Sequence, residues 1–401
     1  MSHSSQPHGN VPVISSDAEA LAIAEEIAVQ LRQDSVLRDR ERRLPHAELE
    51  LFSRSGLWGI SVPKEFGGAG VSSVTLARVI ARIAQADASL GQIPQNHFYG
   101  LEVLRVTGTP EQQQRLYAEV LAGKRFGNAL AELGTKTASQ RTTALTRDGA
   151  GYRINGRKFY ATGALYAQRI PTSVVDEHGA QHLAFVHADS SGLRVIDDWS
   201  GFGQRTTGSG SVVFENVYVA AEDVLPFHTA FERPTPVGPL AQILHAAIDT
   251  GIARAAYEDA LQFVRTRTRP WIDAGSDQAS EDPLTLKSFG HLAIRLHATE
   301  ALLERAGEFL DRAQAEPNAD TVAAASIAVA EARALSTEVS LAAGSTLFEL
   351  AGSQATLAEH GLDRHWRNAR THTLHDPVRW KYHAVGNYYL NQQNPPLRGT
   401  I

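Results

Sequence analysis

Apolar positions near the start of the chain recur every three or four residues: Ala20, Ile23, Ala24, Ile27 and Leu31. That is the spacing of one buried helix face. Ser16 and Glu19 in front of it read as a capping box, which satisfies backbone donors that the first helical turn would otherwise leave unpaired. The same period returns near Ser73–Ala88, Gln92–Thr107 and Pro110–Ala122, interrupted by the glycine- and proline-rich GLWGISVPKEFGGAGV. Residues 15–125 therefore read as an N-terminal helical domain behind a disordered tail at 1–14. Over 126–235 the period shortens. DGAG and NG read as hairpin signals, and QHLAFVHA, GLRVIDDW and GSVVFENVYV as short strands bounded by turns. A small, mostly antiparallel sheet or barrel is the expectation. From 236 to 401 long helices return: one through Leu240, Leu244, Ile248, Ile252 and Phe263 that ends before Pro270, then Leu284–Arg312 and Thr321–Ala351. Their alanine-rich faces suit a C-terminal four-helix bundle, with apolar width to spare for a second subunit. The fold class is mainly α with a central β-domain.

Composition narrows the function classes. The chain has 401 residues, 43% apolar and 20% charged, with a net charge of -6. A nucleic-acid surface needs a basic excess, and none is present overall. The absence of cysteine excludes disulfides, thiolate catalysis and cysteine metal sites, and it fits a reducing, cytoplasmic setting. No apolar run approaches the ~20 residues that span a bilayer, and MSHSSQPHGN lacks the profile of a signal peptide.

Candidate chemistry concentrates near the end of the chain. RHWRNARTHTLHDP, residues 364–377, holds three arginines and three histidines. His372 and His375 form H-x-x-H ahead of Asp376, a weak metal pattern without the H-E-x-x-H spacing; the assignment made here is no metal. Asp363 and Arg367 are spaced for an i,i+4 ion pair. Arg265, Arg267 and Arg269 alternate near a helix end, where one or two suit a phosphate and the same cations suit a helix C-terminus. GFGQRTTGSG is neither a dinucleotide fingerprint nor a phosphate-binding loop with its lysine. His97 stands alone on a helix, a position more often structural than catalytic, and Thr162 is a lone hydroxyl at a strand end.

Several longer stretches together carry a resemblance. GLWGISVPKEFGGAG, GRKFYATGA and the helix–β–helix order are similar to the acyl-CoA dehydrogenase superfamily over about residues 15–395. DDWSGFGQRTTGSGS, TRPW…EDP and LDRHWRNARTHTLHDPVRWKYHAVGNYYLN resemble its flavin-dependent monooxygenase branch, which includes dibenzothiophene monooxygenase and the sulfur-acquisition (SfnB-type) oxidoreductases.

The resemblance implies a reduced-flavin-dependent monooxygenase, with FMN as FMNH2, or FAD as the alternative. It would act through a flavin C4a-hydroperoxide on a small organosulfur compound and O2. With no dinucleotide motif, a separate NAD(P)H:FMN reductase would supply the flavin. A homotetramer, no nucleic acid and no membrane complete the expectation. His97, Thr162 and His375 match the positions around the reactive edge of the flavin. Asn128 lies beside them, with the Ala129–Glu132 backbone on the pyrimidine edge. Trp199 and Arg205–Thr206 match the loop along the flavin, and Arg269, with Tyr99 and His372, the phosphate tail. Gln354 stands where the relatives place an arginine reaching across a subunit interface. Two other readings stay open: an FAD-dependent acyl-CoA dehydrogenase, although its glutamate position is occupied around Asp376, and a non-catalytic helical assembly protein.

Overall fold

The computed structural model describes residues 11–137 and 140–401. Six helices come first: α1 Asp17–Gln33, α2 Ser35–Glu41, α3 His46–Arg54, α4 Ser73–Ala86, α5 Ala88–Thr107 and α6 Pro110–Leu121. Of the tail expected at 1–14, residues 1–10 lie outside the described set, and Ile14 is buried in the core. Ser16 caps α1 by accepting from Glu19 N, but the Glu19 carboxylate turns back to the N–H and hydroxyl of Ser15, so the expected box is displaced by one residue. Asp87 caps α5 by accepting from Ser89 N and Leu90 N. Pro94 lies inside α5 without ending it.

Seven strands follow: β1 Ala144–Asp148, β2 Gly151–Lys158, β3 Arg169–Val175, β4 Gln181–His187, β5 Leu193–Ile196, β6 Ser211–Ala220 and β7 Val224–Leu225. They form one open sheet in the order β5-β6-β2-β1-β3-β4-β7, antiparallel except for the β1–β3 pair. DGAG makes the β1–β2 hairpin, with Asp148 opposite Gly151. NG does not turn the chain. Asn155 and Gly156 lie inside β2, where the register against β6 shifts, and Gly156 takes φ +152°. An extra residue in a strand is a bulge, and glycine tolerates its backbone.

The C-terminal part contains α7 Val237–Thr266, α8 Pro283–Ala315, α9 Ala319–Ala351, α10 Asp363–His372 and α11 Arg379–Asn391. α7 packs on α9, and α8, α10 and α11 also pack on α9. α4 and α5 lie against α7, so the first helices and the bundle share one core. α7 is buried almost all round from Val237 to Ala256, which places its few polar residues inside the protein. No helix among the described residues is long and apolar enough to cross a membrane.

Candidate functional site

The site is built where α5, α7 and the end of α10 meet. The short turn after α10 carries His375, an exposed residue whose ring nevertheless packs against those of His372 and His245. His375 Nδ1 lies 2.8 Å from the His372 carbonyl, an acceptor, so the ring hydrogen belongs on Nδ1. Nε2 is then a lone pair, 3.2 Å from the Gln92 amide nitrogen, which donates to it. Gln92 Oε1 is buried without a partner. Burial, and after it the neighbouring His372, lowers the His375 pKa to about 4, so the ring is neutral at pH 7.

Behind His375 lies a buried polar chain. His372 Nδ1 is 2.5 Å from Asp249 Oδ1, and His372 Nε2 is 3.0 Å from His245 Nδ1. Asp249 is also bonded by Arg333, which is itself buried. The His245 ring sits 4.6 Å from that of His375 and 5.1 Å from that of His372. One ligand atom from each of His245, His372 and His375 falls within 4.8 Å of the others, close enough to surround one transition ion. Two of those rings are instead bonded directly to each other. His245 and Asp249 escape a reading of the sequence because they sit in the apolar run LAQILHAAIDTGIARAA. The signal was there: a histidine and an aspartate four residues apart on a face that should be wholly apolar.

Asp376 does not supply a free base. It accepts from Gln242 at 3.3 Å and lies 3.3 Å from Lys381 Nζ. The end of the chain folds onto these same groups. Gln242 donates to the Gly399 carbonyl at 2.8 Å and Lys381 to the Thr400 carbonyl at 2.5 Å.

Other expected residues lie on the loops of the β-domain. Thr162 exchanges a hydrogen bond with Ser209 at 2.8 Å, and Ser209 with Thr207 at 2.6 Å. A Cβ at Gly163 would lie 3.4 Å from Ile93, the neighbour of Gln92, and 3.8 Å from Gly127, the neighbour of Asn128. Asn128 donates to the Tyr160 carbonyl and accepts from Leu130 N. Trp199 donates to the Gln204 carbonyl, and its ring is 6.2 Å from Tyr160. Arg205 is half-buried on that loop. Thr206 is buried and borders a small cavity with Ser89 and Asn368, one turn of α5 from Gln92. Both amide atoms of Gln204 are buried without partners. Unmet donors and acceptors next to half-exposed aromatic rings suit a planar, polar-edged ring system such as a flavin.

Several expectations need correction. His97 does not face the recess. Its ring is fully buried, Nδ1 accepts from Phe126 N at 3.1 Å, and Nε2 donates to the Trp58 carbonyl at 2.9 Å. Trp58, Phe98 and Phe126 enclose it, and burial lowers its pKa to about 4. It is a strut between backbone segments. Ala129 has no free backbone to offer, because its N–H and C=O bond to Pro171 O and Ser173 N of β3. The Glu132 carboxylate, held at a pKa of about 2 against the cost of burial by Lys158 at 2.5 Å and by Thr142 and Thr143, is committed to the protein, so at Glu132 the expectation rests on the backbone alone. His372 is fully buried and so does not reach a phosphate on the surface. Tyr99 is buried with its hydroxyl facing Gly399, and burial raises its pKa.

Arg269 and Gln354 are exposed at the other end of the bundle, where Thr268 bonds the Ala351 carbonyl. From His245 to the end of α7 the helix rises about 32 Å. The basic stretch that opens α10 mostly serves this chain. Arg367 bonds Asp363, as its spacing predicts, together with Asp39, while Arg364 and His365 bond Asp259.

Fold and site together define a protein of the acyl-CoA dehydrogenase type. Models of the acyl-CoA dehydrogenase N-terminal, middle and C-terminal domains match residues 20–124, 130–217 and 243–380. The chain is 34% identical to dibenzothiophene monooxygenase of Rhodococcus qingshengii, covering 96% of both chains. It is also 34% identical to the probable FMNH2-dependent monooxygenase SfnC of Pseudomonas putida, covering 96% of this chain and 98% of that one. The FMN-bound crystal structure of TdsC from Paenibacillus sp. A11-2 superposes with a TM-score of 0.91 at 33% identity, covering 95% of this chain and 100% of that one. The chain belongs to the acyl-CoA dehydrogenase family, on the side occupied by these monooxygenases.

Proposed function

We propose that this protein is the oxygenase of a two-component system. It takes FMNH2 from a separate NAD(P)H:FMN reductase and uses O2 to oxygenate a small organosulfur compound in the cytoplasm. The class, a flavin-dependent monooxygenase working with FMN, follows from its relatives. The observation that carries the reading is the His375 ring on the turn after α10, its Nδ1 fixed by the His372 carbonyl and its Nε2 beside Gln92 of α5.

Bound FMN, in its reduced form, supplies activation of O2, one atom going to the substrate and the other to water. The chain supplies the rest. Asn128, Thr162 with Ser209, Trp199 and Thr206 hold and orient the ring. His375 Nε2 takes and returns a proton at the reacting edge, with its orientation fixed by the His372 carbonyl and Gln92. The tail from Gly399 covers part of the recess and limits water. Arg269, just beyond α7, and Gln354, just beyond α9, lie at the far end of the bundle from His375, so they act on the phosphate tail in a neighbouring copy. Exposed Leu284, Leu286 and Ile294 on α8 and Trp380 and Leu390 on α11 favour the homotetramer that such sharing needs.

Anaerobic titration with FMNH2, then mixing with O2 and a panel of sulfides, sulfones and sulfinates, tests the reading. Saturable FMNH2 binding and an oxygenated product are the expected result. Retention of FAD with bleaching by an acyl-CoA thioester would replace the reading with a dehydrogenase.

A further inference from the structure

The mechanism above uses one histidine and leaves the polar chain behind it without a task. Asp249, His372 and Arg333 are buried, and buried ion pairs can often be replaced by apolar side chains of similar volume at no loss of stability. We propose that Asp249, His372 and His245 form a proton relay that feeds the recess beside His375, with Asp249 and His372 as positioning residues behind His245. The inference rests on the monooxygenase reading.

Hydrogen-bond order sets the direction. The Asp249 carboxylate only accepts, so His372 carries a hydrogen on Nδ1 at their 2.5 Å contact. His372 Nε2 and His245 Nδ1, 3.0 Å apart, then share one hydrogen. Among the described residues, His245 Nε2 has no hydrogen-bond partner, and its ring is 4.6 Å from that of His375. When the pair holds an extra proton, Asp249 balances the charge and His245 Nε2 donates outward. As that N–H bond breaks, His245 Nδ1 takes the shared hydrogen from His372 Nε2. One proton leaves, and Asp249 stays ionised throughout, as the buried carboxylate does behind the histidine of a serine-protease triad.

The overall reaction calls for such a proton. Anionic reduced flavin, O2 and a sulfur substrate need one proton to yield oxidised flavin, the oxygenated product and water. A proton taken up from bulk solvent reloads the pair. The charged and titratable groups facing the relay are His245 and Asp249 from α7, Arg333 from α9, His372 from α10, His375 and Asp376 from the turn after it, and Lys381 from α11. Burial first, and then His375, His372, Arg333 and Lys381, keep the His245 pKa well below the ordinary histidine range.

Two measurements on the full-length protein test the relay. In 15N-histidine NMR spectra, with His245→Phe identifying its signals, His372 Nδ1 should carry a hydrogen and His245 Nδ1 should be hydrogen-bonded from about pH 6 to about pH 9. A His245 Nδ1 with no hydrogen bond overturns the relay whether or not the enzyme turns over. In turnover with FMNH2 and O2, His245→Phe should lower product formed per flavin oxidised by at least about tenfold and shift the pH profile. Its FMNH2 affinity should stay within about threefold, and 4-methylimidazole should restore coupling in His245→Ala. Unchanged coupling and profile in His245→Phe overturn the proposal. Asp249→Asn strands Arg333 and is at risk of misfolding, so the paired Asp249→Asn/Arg333→Met variant serves as the second test and should show the same loss of coupling. Wild-type protein that neither binds FMNH2 nor consumes O2 refutes the monooxygenase reading alone, since the NMR result still decides the relay.

Discussion

Two histidines of this protein share a pKa and differ in everything that matters for chemistry. His97 and His375 are both held near 4, and burial is the first cause for each. Both nitrogens of His97 are bound to backbone groups inside an aromatic shell. His375 spends one nitrogen on a carbonyl and accepts with the other from the movable side chain of Gln92, on a turn that reaches the surface. A depressed pKa therefore reports surroundings, and only the bonding of the second nitrogen separates a strut from a proton carrier.

The largest effect that sharpens this contrast is expected at His375. His375→Ala should cut oxygenated product by at least about a hundredfold while leaving FMNH2 binding within a few-fold, measured as product and peroxide per flavin oxidised. Equal loss of binding and product would make His375 a ligand of the flavin and no more.

His97→Ala should act on the other axis. Removing the ring leaves the Phe126 N–H and the Trp58 carbonyl without partners and opens a cavity, a cost of about 2–4 kcal/mol by urea unfolding. Product per folded site should be unchanged. The pH dependence follows from the direction of the shift. With a folded pKa of about 4 against an ordinary 6.5, the native state takes up fewer protons than the unfolded chain between those values. Stability present above pH 6.5 is therefore lost as pH falls towards 4, by at most about 3 kcal/mol for His97. His97→Ala and His375→Ala should each flatten that slope, so thermal melts across this window do not tell the two apart and the coupling assay does.

The smallest effect is expected far from both. Gln354→Arg restores a charge-assisted partner for a phosphate and should tighten FMN binding by up to about tenfold, provided copies associate. A dilution series that dissociates the assembly should abolish the gain.

The helix–sheet–helix order was legible because long amphipathic runs, caps and turn residues are local signals. The hairpin at DGAG is such a case. NG misled, because the same residues that turn a chain also relax a bulge, and only the pairing of β2 with β6 decides between them. At the site, the histidine at 375 was visible in its motif, whereas Gln92, His245 and Asp249 depended on which helices meet. Gln92 is an ordinary helical residue until α5 crosses the turn after α10. Only the family resemblance set His97 beside His375, and its neighbours in space show that both its nitrogens are taken.

The chain end that bonds Gln242 and Lys381 has a consequence at the bench. Residues appended after Ile401 would begin two or three positions from a carbonyl seated at the rim of the recess. A purification tag there would compete with entering molecules for the same space and would add its own imidazoles to a pocket whose behaviour turns on imidazole. Protein intended for assay or crystallisation is better tagged at the other end, or cleaved back to Ile401.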